Sequence, residues 1–335
     1  MPTPQTNISL SEIAERFRAL DDFVICGHVN PDGDCLGSQL ALHHALRSLG
    51  KNAQCVLAKP DPVEANLMFL PGIDEMVVAS EYTGPSTVFV AVDVPTVERI
   101  GTAAELQRNA SVRFTIDHHA TEGSMSEFNF VDPDSPSASM LIWKVCEYLG
   151  AVTQDVAQCA LTGLITDTGR FSYQNTNADA FRCAARMVEA GAEPALITRE
   201  FFQNRSLASM NLERVVLDRM AFSHDGAFVV SYLKQDDFEA CHAIKADAEV
   251  LIDILRNISG VRVALILKES TPGEVRGSLR AKDDETDVAR VARAFGGGGH
   301  KAAAGFTFNG TLPEALAAVP AEVGKRCFSD AEKGC

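Results

Sequence analysis

The feature that most constrains the fold of this chain is a series of short apolar runs that end at acidic or imidazole side chains. Residues 23–26 (FVIC) are closely followed by His28, and the runs 87–93 (TVFVAVD) and 112–117 (VRFTID) each end with an aspartate. Near-continuous apolar strands separated by helical patterns are typical of a parallel sheet with helices on both faces. We therefore predict an α/β fold whose N-terminal domain has a mainly parallel sheet flanked by helices. Because such sheets bind ligands at the carboxyl ends of their strands, these polar side chains should meet in one crevice.

The turn after the first apolar run carries three candidate metal ligands, His28, Asp32 and Asp34. Pro31 and Gly33 force a tight turn between them, which lets the three side chains point to one side. Imidazole and carboxylate groups are common ligands of divalent metals. The same residues could instead form a polar turn with a helix cap, but the strand–turn–helix context favours a metal site.

A second cluster consists of Asp117, His118 and His119. One histidine can ligate a metal while the neighbouring aspartate orients it, and the other can face a substrate as a proton donor or phosphate contact. Asp93 and Asp167 end or interrupt two further apolar segments, where an aspartate alone is usually a turn or cap residue. Asp93 and Asp167 become candidate metal ligands because a carboxylate can bridge two cations. The four segments together predict a site for two divalent metals.

The length of 335 residues favours two domains over one. A helical pattern dominates residues 137–187, and residues 206–220 are predicted to form one long helix without special chemistry. Beyond it, predicted strands at 227–233, 261–268 and 274–280 alternate with helices, which indicates a second, smaller α/β unit.

We predict a metal-binding catalytic domain at 1–205, a connector helix within 206–222, and a C-terminal substrate-binding domain at 223–335, with a cleft between the domains. The C-terminal part contains a run of four glycines before His300, whose backbone amides could approach an anion closely. Arg280 could add a forked phosphate contact. A flexible hinge and a surface arginine are the plainer alternative. The glycines that we assign to substrate binding are Gly297, Gly298 and Gly299.

The charge and cysteine content exclude several classes of function. A net charge of −15 argues against binding long nucleic acid, because that requires a surplus of basic side chains to neutralise many phosphates. The nine cysteines lack CxxC spacing, which is typical of reduced thiols in a cytosolic protein. No apolar stretch is long enough to span a membrane, and the N-terminus resembles neither a signal nor a transit peptide. We therefore expect a cytoplasmic protein without a membrane partner.

The motif set of this chain resembles the four signature motifs of the DHH phosphoesterase superfamily. The set consists of His28-x-x-Pro31-Asp32-x-Asp34, Asp93, Asp117-His118-His119 and Asp167. The segments 277–280 (GSLR) and 296–300 (GGGGH) are similar to the DHH-associated C-terminal domain. These motifs occur in the family's order over nearly the whole chain. The compact two-domain length most resembles the nanoRNase/pAp-phosphatase (NrnA-type) branch of the family.

The resemblance implies a two-lobed enzyme with two Mn²⁺ ions in the N-terminal lobe, and Mg²⁺ or Co²⁺ are alternative ions. One ion would be held by His28, Asp32 and Asp93. The other would be held by Asp34, Asp93, His118 and Asp167, so that Asp93 bridges the two. A water activated by two cations would then attack the phosphorus atom.

On the substrate side, the resemblance implies that Asp117 orients its neighbours and that His119 lies near the scissile phosphate. Arg280, His300 and the glycine loop would contact the phosphate of the substrate. Cys35 occupies a position where the family more often has a small residue. We expect it not to touch the ligand set but to make the enzyme sensitive to oxidation. Every ligand position of the family pattern is present.

The implied activity is hydrolysis of short oligoribonucleotides (nanoRNA) and of 3′-phosphoadenosine 5′-phosphate (pAp). Linear or cyclic dinucleotides such as pGpG, pApA and c-di-AMP are alternative substrates. A manganese inorganic pyrophosphatase shares the N-terminal motifs, but its basic Arg-Lys-Lys run is absent here. A RecJ-type exonuclease would need further domains and a more basic surface, and a non-catalytic nucleotide-binding module would be marked by a missing ligand. The sequence leaves open the preferred substrate, the cleavage polarity, the metal preference and whether the chain forms a homodimer.

Overall fold

A computed structural model describes residues 3–120, 123–283 and 285–328 of the chain. The backbone contacts divide the chain into two units, residues 1–204 and 205–335. Each unit is built on its own six-stranded sheet. No helix in the described ranges is both long enough and apolar enough to cross a membrane.

The sheet of the first unit is entirely parallel, with the strand order β3-β2-β1-β4-β5-β6. Its strands are β1 (Phe23–Cys26), β2 (Ala53–Leu57), β3 (Val77–Val78), β4 (Val88–Val92), β5 (Val112–Asp117) and β6 (Phe128–Val131). The predicted parallel sheet is confirmed. The edge strand β6 was not predicted, because its short sequence FNFV alternates and lacks a longer apolar run.

Seven helices surround this sheet in the described part of the first unit. They are α1 (Leu10–Ala19), α2 (Gly33–Ser48), α3 (Ala104–Asn109), α4 (Ala138–Leu149), α5 (Gln154–Asp167), α6 (Ala178–Glu189) and α7 (Pro194–Ile197). Helix α2 begins at Gly33, directly after the Asp32 carboxylate that caps it. Asp32 Oδ1 accepts hydrogen bonds from the backbone N–H groups of Asp34 and Cys35. Such a cap supplies partners for amides that the first helical turn leaves unpaired.

Both faces of the first sheet are buried, as near-continuous apolar strands require. On β1, Phe23 and Ile25 belong to the larger core cluster, which also contains residues of α1, α2, α4 and α5. Val24 and Cys26 point to the opposite face and belong to a smaller cluster. This double coverage leaves the ends of the strands as the natural place for polar side chains.

The second unit has a mixed sheet, in which β8 and β9 are parallel and the other pairs are antiparallel. The strand order is β11-β12-β10-β9-β8-β7. The strands are β7 (Ala221–Ser223), β8 (Phe228–Leu233), β9 (Val263–Thr271), β10 (Glu274–Ala281), β11 (Gly298–His300) and β12 (Ala303–Asn309). The helices are α8 (Leu207–Asp218), α9 (Gln235–Ala240), α10 (Leu251–Arg256), α11 (Ala289–Ala294) and α12 (Leu312–Cys327). The three strands predicted for this part of the chain are therefore present.

The segment predicted as a connector contains helix α8, which packs within the second unit. Leu212 and Val216 of α8 are fully buried in a cluster with Val229 and with residues of α10. The other face of the same sheet is covered by α11 and α12. The helix therefore contributes to a core rather than spanning open solvent.

Phe17 is the best single probe of the first core. Its ring is fully buried and lies edge-on to Phe23 and Phe114, with ring centroids 5.2 and 4.9 Å away. Phe17→Ala should lower the free energy of unfolding by about 3–5 kcal/mol, since it removes buried surface and leaves a cavity. Phe181→Ala is the control, because Phe181 is 56% exposed and should cost about 1 kcal/mol or less. Urea unfolding measures both, and equal losses would contradict this description of the core.

Candidate metal centre

The polar ends of β1, β4 and β5 converge at the carboxyl edge of the parallel sheet. His28 lies just after β1, Asp93 directly follows β4, and Asp117 is the last residue of β5. Because β4 lies between β1 and β5, Asp93 is the central position of this edge. The crevice that the sequence predicted is therefore formed by three adjacent strands.

Asp93 is 2% exposed and its two carboxylate oxygens face different histidines. Its Oδ2 lies 3.5 Å from Nε2 of His28, and its Oδ1 lies 3.4 Å from Nε2 of His118. The backbone of Asp93 has a φ of 53°, a left-handed conformation that side chains other than glycine seldom adopt. Backbone strain of this kind is typical of functional sites, where it fixes the position of a side chain such as this carboxylate.

The first group of donors surrounds Nε2 of His28. Oδ2 of Asp32 lies 3.7 Å from this nitrogen, in addition to the contact with Asp93. The other ring nitrogen, Nδ1, lies 2.9 Å from the backbone oxygen of Val29, so that an N–H at this position donates to the carbonyl. This arrangement turns Nε2 toward the carboxylates, which is the ring orientation found in metal-binding histidines.

The second group of donors surrounds Nε2 of His118. This nitrogen lies 3.8 Å from Oδ2 of Asp34 and 3.9 Å from Oδ2 of Asp167, in addition to the contact with Asp93. Nδ1 of His118 faces the backbone oxygen of Ser135 at 3.3 Å. The sequence predicted that an aspartate would orient the ligating histidine, but the structure gives this role to a backbone carbonyl.

The start of helix α4 fixes the carboxylate of Asp34. Its Oδ2 and Oδ1 accept hydrogen bonds from the backbone N–H groups of Ala138 and Ser139, at 2.7 and 2.9 Å. Gly163 of α5 lies against this carboxylate, and a Cβ atom there would come within 2.7 Å of Asp34 Oδ1. Two helices from distant parts of the sequence therefore determine where one carboxylate points.

Asp117 orients His119. Its Oδ1 lies 2.8 Å from Nδ1 of His119 and also accepts the backbone N–H of His118 at 2.8 Å. Nδ1 of His119 lies 3.6 Å from Oδ1 of Asp93, so the ring borders the donor groups. A histidine held by a carboxylate through Nδ1 can present Nε2 to a reacting group.

The buried charges at this edge strongly perturb one another. Burial opposes protonation of His28, but hydrogen bonds with Asp32 and Asp93 outweigh it and raise its pKa to about 10. Burial and the charge of Asp93 raise the pKa of Asp34 to about 7. Burial and the charge of Asp34 likewise hold the pKa of Asp167 well above its ordinary value. Asp93 has a lowered pKa, since hydrogen bonds with His118 and His28 outweigh its burial. Acidic groups crowded in this way would be stabilised by a cation.

The donor groups fit divalent cations. Donor atoms around one ion lie roughly 3–4 Å apart, since metal–oxygen and metal–nitrogen distances are about 2.0–2.2 Å. The separations around His28 and His118 are 3.4–3.9 Å. Oδ1 of Asp93 is buried and lies 3.4 Å from Nε2 of His118, a long contact that leaves room for a cation to compensate its charge. These acidic and imidazole groups could therefore hold metal.

Cys35 is a buried thiol at the edge of the first donor group. Its sulfur lies with donor atoms of His28 and Asp93 in a set whose members are all within 4.8 Å of one another. Burial, followed by the charges of Asp93 and Asp32, raises the pKa of the Cys35 thiol well above its ordinary value. Because the thiolate is the reactive form, this environment argues against easy oxidation at Cys35.

Asn175 is a residue of the centre that the sequence analysis missed. Its Nδ2 donates to the backbone oxygens of Pro136 and Asp167, at 2.9 and 3.1 Å, and lies 3.4 Å from Oδ2 of Asp167. It thus ties the carboxylate of Asp167 to the segment before α4. An asparagine in a polar loop carries no sequence signal that would reveal this contact.

The predicted substrate-binding residues lie in the second unit, on β10 and around β11. Arg280 has its Nε 3.7 Å from Oδ1 of Asp253. Two glycines of the loop are required by close packing, since Cβ atoms at Gly297 and Gly299 would come within 2.2 and 2.5 Å of backbone oxygens of β12. Gly298 has open space around it. The backbone of His300 belongs to β11, and its side chain lies outside what the structure describes.

Comparison with known proteins identifies the class of this fold and site. The model of the N-terminal domain of the DHH family matches residues 22–164, and the model of the DHHA1 domain matches residues 225–325. The chain belongs to the DHH family. The matched regions contain all predicted metal ligands except Asp167, and the predicted substrate-binding residues Arg280 and 297–300.

Several relatives resemble the chain over almost its full length. The bifunctional oligoribonuclease and PAP phosphatase NrnA of Thermus thermophilus is 31% identical over 92% of this chain and 91% of its own length. The protein of the same name from Bacillus subtilis is 26% identical over 88% and 92%. Among solved structures, an exopolyphosphatase-related protein from Bacteroides fragilis is 26% identical, with a TM-score of 0.88 over 94% of this chain and 95% of that chain.

Asn175→Ala should weaken the binding of divalent cations, because it frees the carboxylate of Asp167 and the loop that carries it. The loss should be about 10–100-fold in affinity, the usual effect of removing a hydrogen-bond partner of a metal ligand. The rise in melting temperature on titration with Mn²⁺ measures this affinity without an activity assay.

Asn177→Ala is the matched control in the same loop. Asn177 caps α6 through the backbone N–H groups of Asp179 and Ala180, so its loss should cost about 1 kcal/mol of stability. It should leave the response to Mn²⁺ unchanged. An Asn175→Ala variant with wild-type cation affinity would refute the positioning role.

Proposed function

We propose that this protein is a metal-dependent phosphoesterase that hydrolyses short oligoribonucleotides and removes phosphate from pAp. The observation that carries the proposal is the placement of the two oxygens of Asp93 against two separate histidine–carboxylate groups. Two cations side by side suit phosphoryl transfer, because both the attacking and the leaving oxygen need stabilisation. The name of the Thermus thermophilus relative supports the choice of substrates.

We infer two cation positions from the donor groups. The first would use His28, Asp32 and Asp93, and the second Asp34, Asp93, His118 and Asp167. We propose Mn²⁺ as the ion at both positions, because Mg²⁺ usually keeps several waters and binds through only one or two carboxylates. When bound, the ions would lower the pKa of water and stabilise negative charge on the phosphoryl oxygens.

The chain's own side chains prepare the site for this reaction. The carbonyls of Val29 and Ser135 fix the rings of His28 and His118, so that both present Nε2. Asp117 holds His119 through Nδ1. We infer that Nε2 of His119 contacts the scissile phosphate and moves a proton there, with Asp117 stabilising the charged ring.

We assign substrate binding in the second unit to Arg280, His300 and the glycines 297–299. A guanidinium group forms paired hydrogen bonds to phosphate oxygens, and exposed amides of a glycine loop can approach an anion closely. The net charge of −15 supports short substrates over long polymers, since a local basic pocket is enough for them. The eight cysteines in the described ranges are all free thiols, which supports a reducing, cytoplasmic setting.

Asp93→Ala should reduce turnover of an RNA trimer to below about 1% of wild type. Removing only a hydrogen-bond partner of a metal ligand costs about 10–100-fold in metal affinity or activity. This carboxylate itself contacts both donor groups, so its loss should cost more. His44→Ala is the control, because His44 Nε2 contacts the backbone oxygen of Pro71 and lies outside the donor groups. An active Asp93→Ala protein, measured with Mn²⁺ at saturating substrate, would exclude the bridging role.

A panel of substrates tests the choice of activity. With Mn²⁺, a 5′-labelled RNA trimer and pAp should be hydrolysed faster than pGpG, c-di-AMP or pyrophosphate, as the name of the Thermus thermophilus relative suggests. They should also be hydrolysed faster than a 24-mer, because a net charge of −15 disfavours long strands. Chelation with EDTA should abolish every one of these activities, and added Mn²⁺ should restore them. Dominant hydrolysis of pyrophosphate, or no turnover on any substrate, would overturn the proposal.

A further inference from the structure

The second unit contains a cavity of about 560 Å³ whose lining includes neither Arg280 nor any residue of the metal centre. It lies where β9 ends and β10 begins, beside helix α9. Its lining includes Phe238, Ile244, Lys245, Lys268 and Arg276. The motifs that define the DHH family do not include any of these residues, so the metal centre does not explain the cavity.

The strand register places two of the cations of this cavity, Lys268 and Arg276, on one face of the sheet. Lys268 of β9 pairs with Arg276 of β10, while Ala264 pairs with Arg280 at the opposite end of the same strands. Four residues of a strand span about 13 Å, at about 3.3 Å per residue. Arg276 and Arg280 therefore occupy separate positions on this face of the sheet.

The side chain of Lys268 places a buried ammonium group in the lining of the cavity. Its side chain is 8% exposed, and its Nζ donates to Oε1 of Glu249 at 2.7 Å. An ammonium group has three N–H donors, and the described residues provide an acceptor for one of them. Burying such donors without acceptors is costly, so the cavity favours an occupant that carries acceptor oxygens.

Two further cations line the cavity without a charged partner. Within the described ranges, neither Arg276 nor Lys245 forms an ion pair or a side-chain hydrogen bond, and both are exposed. Most arginines near carboxylates in this unit are paired, as Arg219 is with Asp237 and Arg262 with Asp283. Unpaired cations beside a buried ammonium group form a site for an anion.

The remaining lining limits the class of anion. Phe238 and Ile244, the latter 68% exposed, provide an apolar surface on which a flat ring can lie. Glu239, Glu249 and Glu269 also line the cavity, and Glu249 is paired with Lys268. Their charge disfavours a polyphosphate, but their oxygens can accept hydrogen bonds from the amino group of a base. The volume suits a ligand of the size of a nucleotide.

We propose that this cavity binds a nucleoside monophosphate, with its phosphate at Lys268, Arg276 and Lys245 and its base against Phe238 and Ile244. Binding needs no divalent cation, because the side chains themselves supply the positive charge. The site is thus independent of the proposed hydrolytic activity. A nucleoside monophosphate bound here would be a ligand of the second unit and would not be hydrolysed.

Photolabelling of the full chain with 8-azido-AMP in EDTA tests the proposal, with the labelled peptides identified by mass spectrometry. Labelling is expected within residues 235–249 and should persist in Arg280→Glu, which removes the guanidinium assigned to the substrate. Arg276→Glu should reduce this labelling roughly tenfold or more, since a charge-assisted contact becomes a repulsion. Lys325→Glu is the matched control, since Lys325 is a 72% exposed cation on α12, a helix that packs on the other face of the sheet.

Competition and calorimetry complete the test. Unlabelled AMP should displace the probe, whereas adenosine and inorganic phosphate should each compete at least roughly tenfold more weakly, because each lacks half of the contacts. Isothermal titration with AMP in EDTA should show a binding event that Arg276→Glu removes. Labelling confined to other peptides, equal labelling of the Arg276→Glu and wild-type proteins, or displacement by inorganic phosphate as strong as by AMP would overturn the assignment.

Discussion

The repulsion among buried carboxylates at one edge of the parallel sheet is the constraint on which the first unit depends. Asp34 and Asp93 are each 2% exposed, and burial would keep both from coexisting as charges without compensation. The protein compensates them with imidazole rings and with the amides that begin α4. The strands, the turn after β1 and helix α4 are therefore arranged around charges that call for a cation.

This edge of the sheet could be predicted from the sequence because the patterns that define it lie within short segments of the chain. A run of apolar residues followed by an aspartate indicates a buried strand and the place where it ends, and neighbouring parallel strands end at the same edge. His28, Asp93 and Asp117 could be brought together by that argument alone. The parallel sheet of the first unit and the strands β8, β9 and β10 of the second followed from the same reasoning.

The contacts that the sequence could not predict join residues far apart in the chain. Asp34 accepts hydrogen bonds from Ala138 and Ser139, and Asn175 reaches Pro136, and no periodic pattern encodes either pairing. The glycines before His300 are a different case, because a glycine run predicts close approach without saying to what. In the structure, Gly297 and Gly299 approach a neighbouring strand, which is a packing requirement as much as a binding feature.

The free thiols have a consequence for handling the protein. Seven of the eight described cysteines are buried, and burial holds the pKa values of thiols such as Cys26 and Cys159 well above their ordinary range. This protection lasts only while the chain is folded. Once unfolded, thiols of ordinary acidity would meet one another in air and cross-link, so recovery after heating depends on a reductant. Burial in the folded core thus protects these cysteines from oxidation.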